Sequence, residues 1–126
     1  MRQAVFTEKG VTPGGPYSQV VILNGVAYVS SQGPIVPGTS TVPGTFREQA
    51  QQVFENVGIL LTASGSSFER VVKVGVFLAD LKYFAEMNDV YKQFFKQPYP
   101  ARTTVQAGLS GDTLIVVDCI AEVSAK

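Results

Sequence analysis

The apolar and polar positions change period several times along the chain, and each change marks an element. Gln3 to Thr7 reads as a short extended run, and Gly10-Val11-Thr12-Pro13-Gly14-Gly15-Pro16 carries too much glycine and proline for regular structure. Ser18 to Leu23 and Val26 to Ser30 are rich in branched residues and predict two strands. Asn24-Gly25 between them predicts a type I′ turn, whose twist suits a hairpin. Ser31-Gln32-Gly33-Pro34 ends the second strand, and a loop runs to Gly44. The period then becomes helical: Phe46, Ala50, Val53, Val57, Leu60 and Leu61 share one face, while Arg47, Gln51, Gln52 and Glu55 lie opposite. Thr45 and Glu48 have capping-box spacing at its start, and Gly65 stops it.

Val71 to Leu78 is nearly continuously apolar, which predicts a central strand. Asp80 caps a second helix whose apolar stripe is Phe84, Met87, Tyr91, Phe94 and Phe95, and Pro98 ends it. Arg102 to Gln106 and Thr113 to Val123 return as strands. The order is β-β-β-α-β-α-β-β. It predicts one α+β domain over residues 1–126: a six-stranded mixed sheet with both helices on one face. The uncovered face of so apolar a sheet must also leave water, and self-association is the simplest way.

Composition narrows the chemistry. Lysine plus arginine equals aspartate plus glutamate, ten against ten among 126 residues, so no global charge recruits nucleic acid or an anionic membrane. There is no histidine, which removes histidine triads, histidine bases and histidine-ligated zinc. The single cysteine, Cys119, excludes an intrachain disulfide and fits a reducing compartment, the cytoplasm or an organelle. Met1 to Phe6 lacks the apolar core of a secretory signal, and no apolar run reaches membrane-spanning length.

Arg102 enters its strand directly after Pro98-Tyr99-Pro100-Ala101. A guanidinium held there offers a planar fork of donors to a carboxylate or phosphate, and it reads equally as a surface arginine. Asp118 sits in mid-strand on the face of Leu114, Val116 and Ile120. Either that face is wet or the carboxylate polarises a water. Tyr17 reads as a core aromatic or a cleft tyrosine, Asn88 as a helix-to-loop hydrogen bond or a ligand contact, and Ser30 and Ser31 as strand-end serines or cleft residues. Cys119 alternates away from Asp118 and reads as packing. The loop glycines match no phosphate-binding fingerprint.

In their order and spacing, several pieces resemble the Rid family of reactive-intermediate deaminases, also called the YjgF or L-PSP family. They are Gly15-Pro16-Tyr17-Ser18-Gln19, Val29-Ser30-Ser31-Gln32, Val72-Lys73-Val74 through Leu78-Ala79-Asp80-Leu81, Met87-Asn88-Asp89-Val90-Tyr91, Pro100-Ala101-Arg102-Thr103-Thr104-Val105 and Asp118-Cys119-Ile120-Ala121. The resemblance implies a chorismate-mutase-like fold assembled as a homotrimer with clefts between subunits. It implies hydrolysis of 2-imino acids, such as 2-iminobutanoate and 2-iminopropanoate leaked by pyridoxal-phosphate enzymes, with no cofactor of its own. By resemblance Arg102 binds the substrate carboxylate, Tyr17, Ser30, Ser31 and Asn88 line the cleft, and Thr104 and Asp118 hold the attacking water. A non-catalytic trimer binding 2-oxo acids is the alternative. Ribonuclease and translation-inhibiting activities are also attached to this family, but the neutral charge and absent basic stripe give them little support. Two positions depart from the deaminase pattern. Ser31 replaces a glycine, and Asp118 replaces a glutamate one methylene longer.

Overall fold

A computed structural model describes residues 1–124 as one mixed sheet with two helices. The strands are β1 (Gln3–Val5), β2 (Val20–Leu23), β3 (Val26–Gln32), β4 (Val71–Leu78), β5 (Ala101–Gln106) and β6 (Ile115–Glu122). The helices are α1 (Phe46–Ala63) and α2 (Phe84–Phe94). The sheet order is β1-β2-β3-β6-β4-β5, antiparallel except for the parallel β4–β5 pair at one edge. The expected element order holds, and β4 is interior. Asn24 and Gly25 both take positive φ (52° and 77°), as a type I′ turn requires.

At the start of α1, the Thr45 hydroxyl accepts from the Glu48 N–H (3.2 Å) and donates to Glu48 Oε1 (3.0 Å). Ser64 caps the other end and Gly65 takes φ +77°. Asp80 caps a short 3-10 turn, Leu81–Tyr83, that leads into α2 rather than capping α2 itself. The turn delays the helix by three residues, leaving Phe84 at its first position and 43% exposed.

The core lies between the helices and one sheet face: Val20, Ala27, Val29, Val74, Val76, Leu78, Ile115, Val117 and Cys119 meet Val53, Phe54, Val57, Leu60, Met87 and Tyr91. Alternation sends Tyr28, Phe77, Val105, Val116 and Ile120 to the opposite, uncovered face. Tyr28 is 46% exposed there. Asp118 shares that face with Val116 and Ile120 as expected. Leu114 does not: it precedes the strand and packs against the core.

β3 runs two residues beyond the expected Ser30. Its register with β6 slips between Val29↔Cys119 and Gln32↔Val117, so Ser30 and Ser31 together oppose Asp118. This is a β-bulge, a device that re-aims side chains.

Three buried amides tie the loops to this frame. Gln49 donates to Pro43 O (3.0 Å) and Asp112 O (2.9 Å) and accepts from Leu114 N–H (2.8 Å). Asn56 donates to Gly33 O (3.0 Å) and Ile35 O (2.8 Å). Gln19 accepts from Thr7 N–H (2.8 Å) and donates to Val11 O (3.0 Å).

Candidate active site

The residues singled out in the sequence gather in two places on opposite faces of the sheet. The first is a cavity of about 420 Å³ at the β5 edge, lined by Asn88, Tyr91, Lys92, Tyr99, Pro100 and Arg102. β5 pairs with β4 so that Arg102 lies beside Val74 and Thr104 beside Val76. Both β4 partners face the core, so Arg102 and Thr104 face the helices.

The Arg102 guanidinium rests on aromatic rings. Its Cζ is 4.7 Å from the Tyr91 centroid and 5.6 Å from that of Phe84, and Nη1 points to Met87 Sδ at 3.9 Å. Such contacts are worth about 0.5–2 kcal/mol and hold the group without consuming its charge. Among the described residues Arg102 has no acidic partner: the ion pairs are Arg47 with Glu86 and Asp89, and Arg70 with Glu122. A fixed, unneutralised fork at the mouth of a cavity can take a carboxylate.

The second place is the uncovered face around Asp118. Gly75 on β4 is its cross-strand neighbour. A Cβ at Gly75 would collide with Asp118 Oδ1, so the absence of a side chain makes room for the carboxylate. Partial burial pushes the Asp118 carboxyl above the usual carboxylate range, against the opposing pull of the Gly75 backbone, Lys73 and Ser31. A carboxylate so tuned is a better proton acceptor than an exposed one. Lys73 donates to Thr103 Oγ1 at 2.7 Å and places its charge on this face. Tyr17 and Ser31 line a small cavity of about 140 Å³ with Gln19, Gln32 and the loop around Pro13. The Tyr17 hydroxyl accepts from Gly14 N–H (3.2 Å), and its ring is half-exposed. Ser30 Oγ donates to Ser18 O at 2.6 Å, leaving only its lone pairs for a ligand.

Arg102, Thr104 and Asn88 are therefore brought together, and Tyr17, Ser31 and Asp118 form a separate group. Within one chain Thr104 and Asp118 cannot hold one water, because they point to opposite faces of the sheet and β4 lies between their strands. Helical periodicity makes Tyr91 a member of the α2 apolar stripe and nothing more. Its place beside Arg102 follows from α2 packing over β5, which periodicity does not reveal. Burial pushes the Cys119 thiol up to about 12. It is packing, as expected.

No helix among the described residues is long and apolar enough to cross a membrane, and no cluster of metal-ligating side chains occurs among them. The chain is 45% identical over 125 residues to the protein mmf2, mitochondrial, of Schizosaccharomyces pombe, covering 96% of this chain and 98% of that one. It is 39% identical over 123 residues to the 2-iminobutanoate/2-iminopropanoate deaminase of Bos taurus, covering 96% and 90%. Among solved structures it superposes on Escherichia coli TdcF with bound serine at TM-score 0.90 and 36% identity, over 97% of this chain and 99% of that one. The family model described as Endoribonuclease L-PSP matches residues 7–123. With that match and these relatives, the chain belongs to the L-PSP family, whose members include the Rid and YjgF proteins.

Proposed function

We propose that the protein hydrolyses small 2-imino acids to 2-oxo acids and ammonia, in a site completed between the subunits of a homotrimer. The observation that carries this reading is the unpaired guanidinium of Arg102, held on Tyr91 and Phe84 at the wall of a cavity of a small ligand's size. The deaminase name of the bovine relative and the serine in the related E. coli structure support a small ligand with nitrogen and carboxylate on one carbon.

Arg102 grips the substrate carboxylate with two parallel hydrogen bonds, each worth about 1.5–3 kcal/mol net. Asn88 lies one helical turn from Lys92 on the same wall and bounds the substrate's side chain. Asp118, Ser31, Ser30 and Tyr17 come from a neighbouring subunit whose uncovered sheet face closes the cavity. Asp118 orients a water against the iminium carbon and takes its proton as the C–O bond forms. The resulting carbinolamine receives that proton on nitrogen, the C–N bond breaks as Asp118 takes the hydroxyl proton and the C=O bond forms, and ammonia leaves behind a 2-oxo acid. An iminium is already electrophilic, so orientation supplies most of the acceleration. Pyridoxal-phosphate enzymes that release enamines and imines would be the source of substrate.

The test couples a dehydratase that makes the imine to semicarbazide, which traps it, with this protein competing. Arg102→Ala should abolish the competition; unchanged competition would overturn the assignment. One observation favours a second reading. A single chain carries the anion anchor without Asp118 on the same face, so an unassembled chain would bind 2-oxo acids without turnover. Calorimetry with 2-oxobutanoate beside the imine assay separates the two.

A further inference from the structure

Only two buried side-chain polar atoms among the described residues lack a hydrogen-bond partner, Tyr91 Oη and Thr104 Oγ1. Both flank Arg102, and Tyr91 lines the cavity with it. Thr104 is two residues beyond Arg102 on β5, facing the same way, and the Tyr91 ring lies against the guanidinium. Tyr91 is 4% exposed, and its ring is clamped by Phe95 (centroids 4.4 Å, stacked) and Phe54 (5.7 Å, edge-on). The hydroxyl therefore has little freedom to turn toward solvent. A buried hydroxyl without a partner costs folding free energy, and native proteins leave few of them. Two such atoms on either side of one unpaired cation, Tyr91 in the cavity wall and Thr104 next along β5, indicate a missing acceptor. Burial raises the Tyr91 phenol most, while the charge of Arg102 and the approach of its N–H to the phenol oxygen pull it down; the hydroxyl stays protonated, and its own proton is what lacks an acceptor.

We propose that the Tyr91 and Thr104 hydroxyls donate to the same ligand carboxylate that Arg102 grips, which makes Tyr91 a ligand-binding residue and assigns Thr104 to the carboxylate rather than to the attacking water. This rests on the carboxylate reading of Arg102. It supplies four donors, two from the guanidinium and one from each hydroxyl, to a group with about four lone-pair positions. A neutral amide or ester in place of the carboxylate would forfeit the charge-assisted share of every one.

The experiment is calorimetric titration of 2-oxobutanoate into the assembled protein, with the variants Tyr91→Phe, Thr104→Val and Arg102→Met, alongside steady-state imine hydrolysis and thermal melts. Tyr91→Phe keeps the ring under Arg102 and removes only the hydroxyl. Its affinity should fall about tenfold or more, the loss appearing in KM with kcat within about twofold, while Tm stays level or rises. Thr104→Val should behave alike. Tyr91→Phe affinity equal to wild type, with affinity lost in Arg102→Met, would overturn this inference alone and leave a buried water as the hydroxyls' partner. Retained affinity in Arg102→Met would overturn both this inference and the carboxylate reading. On the unmutated protein, NMR of ¹³Cζ-labelled tyrosine should show one buried ring shifting as 2-oxobutanoate is added; no shift on saturation contradicts the contact.

Discussion

Gly75→Ala probes the placement of Asp118 without touching Asp118 itself. The added methyl would overlap Asp118 Oδ1 and press on its Cγ at 3.2 Å, while meeting Phe77 Cε1 at an ordinary contact of 3.5 Å. The strand backbone cannot yield cheaply, since β4 is paired on both sides. The short carboxylate can yield by rotating, at an off-rotamer cost of about 0.5–1.5 kcal/mol. The stability loss should therefore be small. Catalysis should suffer more, because a displacement of about 1 Å from the water costs on the order of 100-fold, or about 2.7 kcal/mol in the barrier. Binding of 2-oxobutanoate should be nearly unchanged, since Arg102 lies on the other face of the sheet. The assay is the dehydratase-coupled imine reaction, read with urea melts and calorimetry. Adding Gly75→Ala to Asp118→Ala should cause no further loss of rate, because the two act through one carboxylate. Full activity in Gly75→Ala, or losses that multiply in the double variant, would refute the reasoning.

Other consequences are open to simpler measurement. The Asp118 carboxyl titrates above its ordinary value, so the folded chain favours the protonated form. That contribution is complete below the ordinary carboxylate range and is lost as pH rises through the raised value. Asp118→Asn should accordingly melt above wild type at neutral pH, the gap closing in acid, while imine hydrolysis falls. Asp118→Glu should match or exceed the native rate; a collapse would show the shorter residue to be adapted to another task. Gln49→Ala strands Leu114 N–H and the Pro43 and Asp112 carbonyls, and urea denaturation should register a loss of about 2–4 kcal/mol. Cys119, buried and pushed up to about 12, should resist iodoacetamide at pH 8 in the folded chain and react once urea unfolds it.

The elements were largely legible because local rules agree with the fold. Asn24-Gly25 has one favoured turn, Thr45 with Glu48 one favoured place in a helix, and Val71–Leu78 too little polarity for an edge. What the sequence does not display is phase between elements. Alternation places Arg102 with Thr104, and Asp118 with Val116. Only the pairing of Val74 with Arg102 and Gly75 with Asp118 shows that the two sets face opposite ways. The bulge at Ser30-Ser31 was invisible for the same reason: an extra residue leaves no local signature when both candidates are serine. Gln19, Gln49 and Asn56 are buried against their residue types because each satisfies loop backbone far away in sequence. Tyr91 hides in an apolar stripe to which its ring belongs, and its hydroxyl gains meaning only when α2 lies over β5.

The central claim is that Arg102 from one protomer and Asp118 from another complete one site. Mixing Arg102→Ala and Asp118→Ala proteins, each inactive alone, and letting subunits exchange tests it most directly. Random reassembly should restore up to about one wild-type site in four, since each half-site is drawn from either parent with even odds. Imine hydrolysis returning toward that level, in step with mixed trimers seen by native mass spectrometry, is the predicted result. Mixed trimers that stay inactive would contradict it.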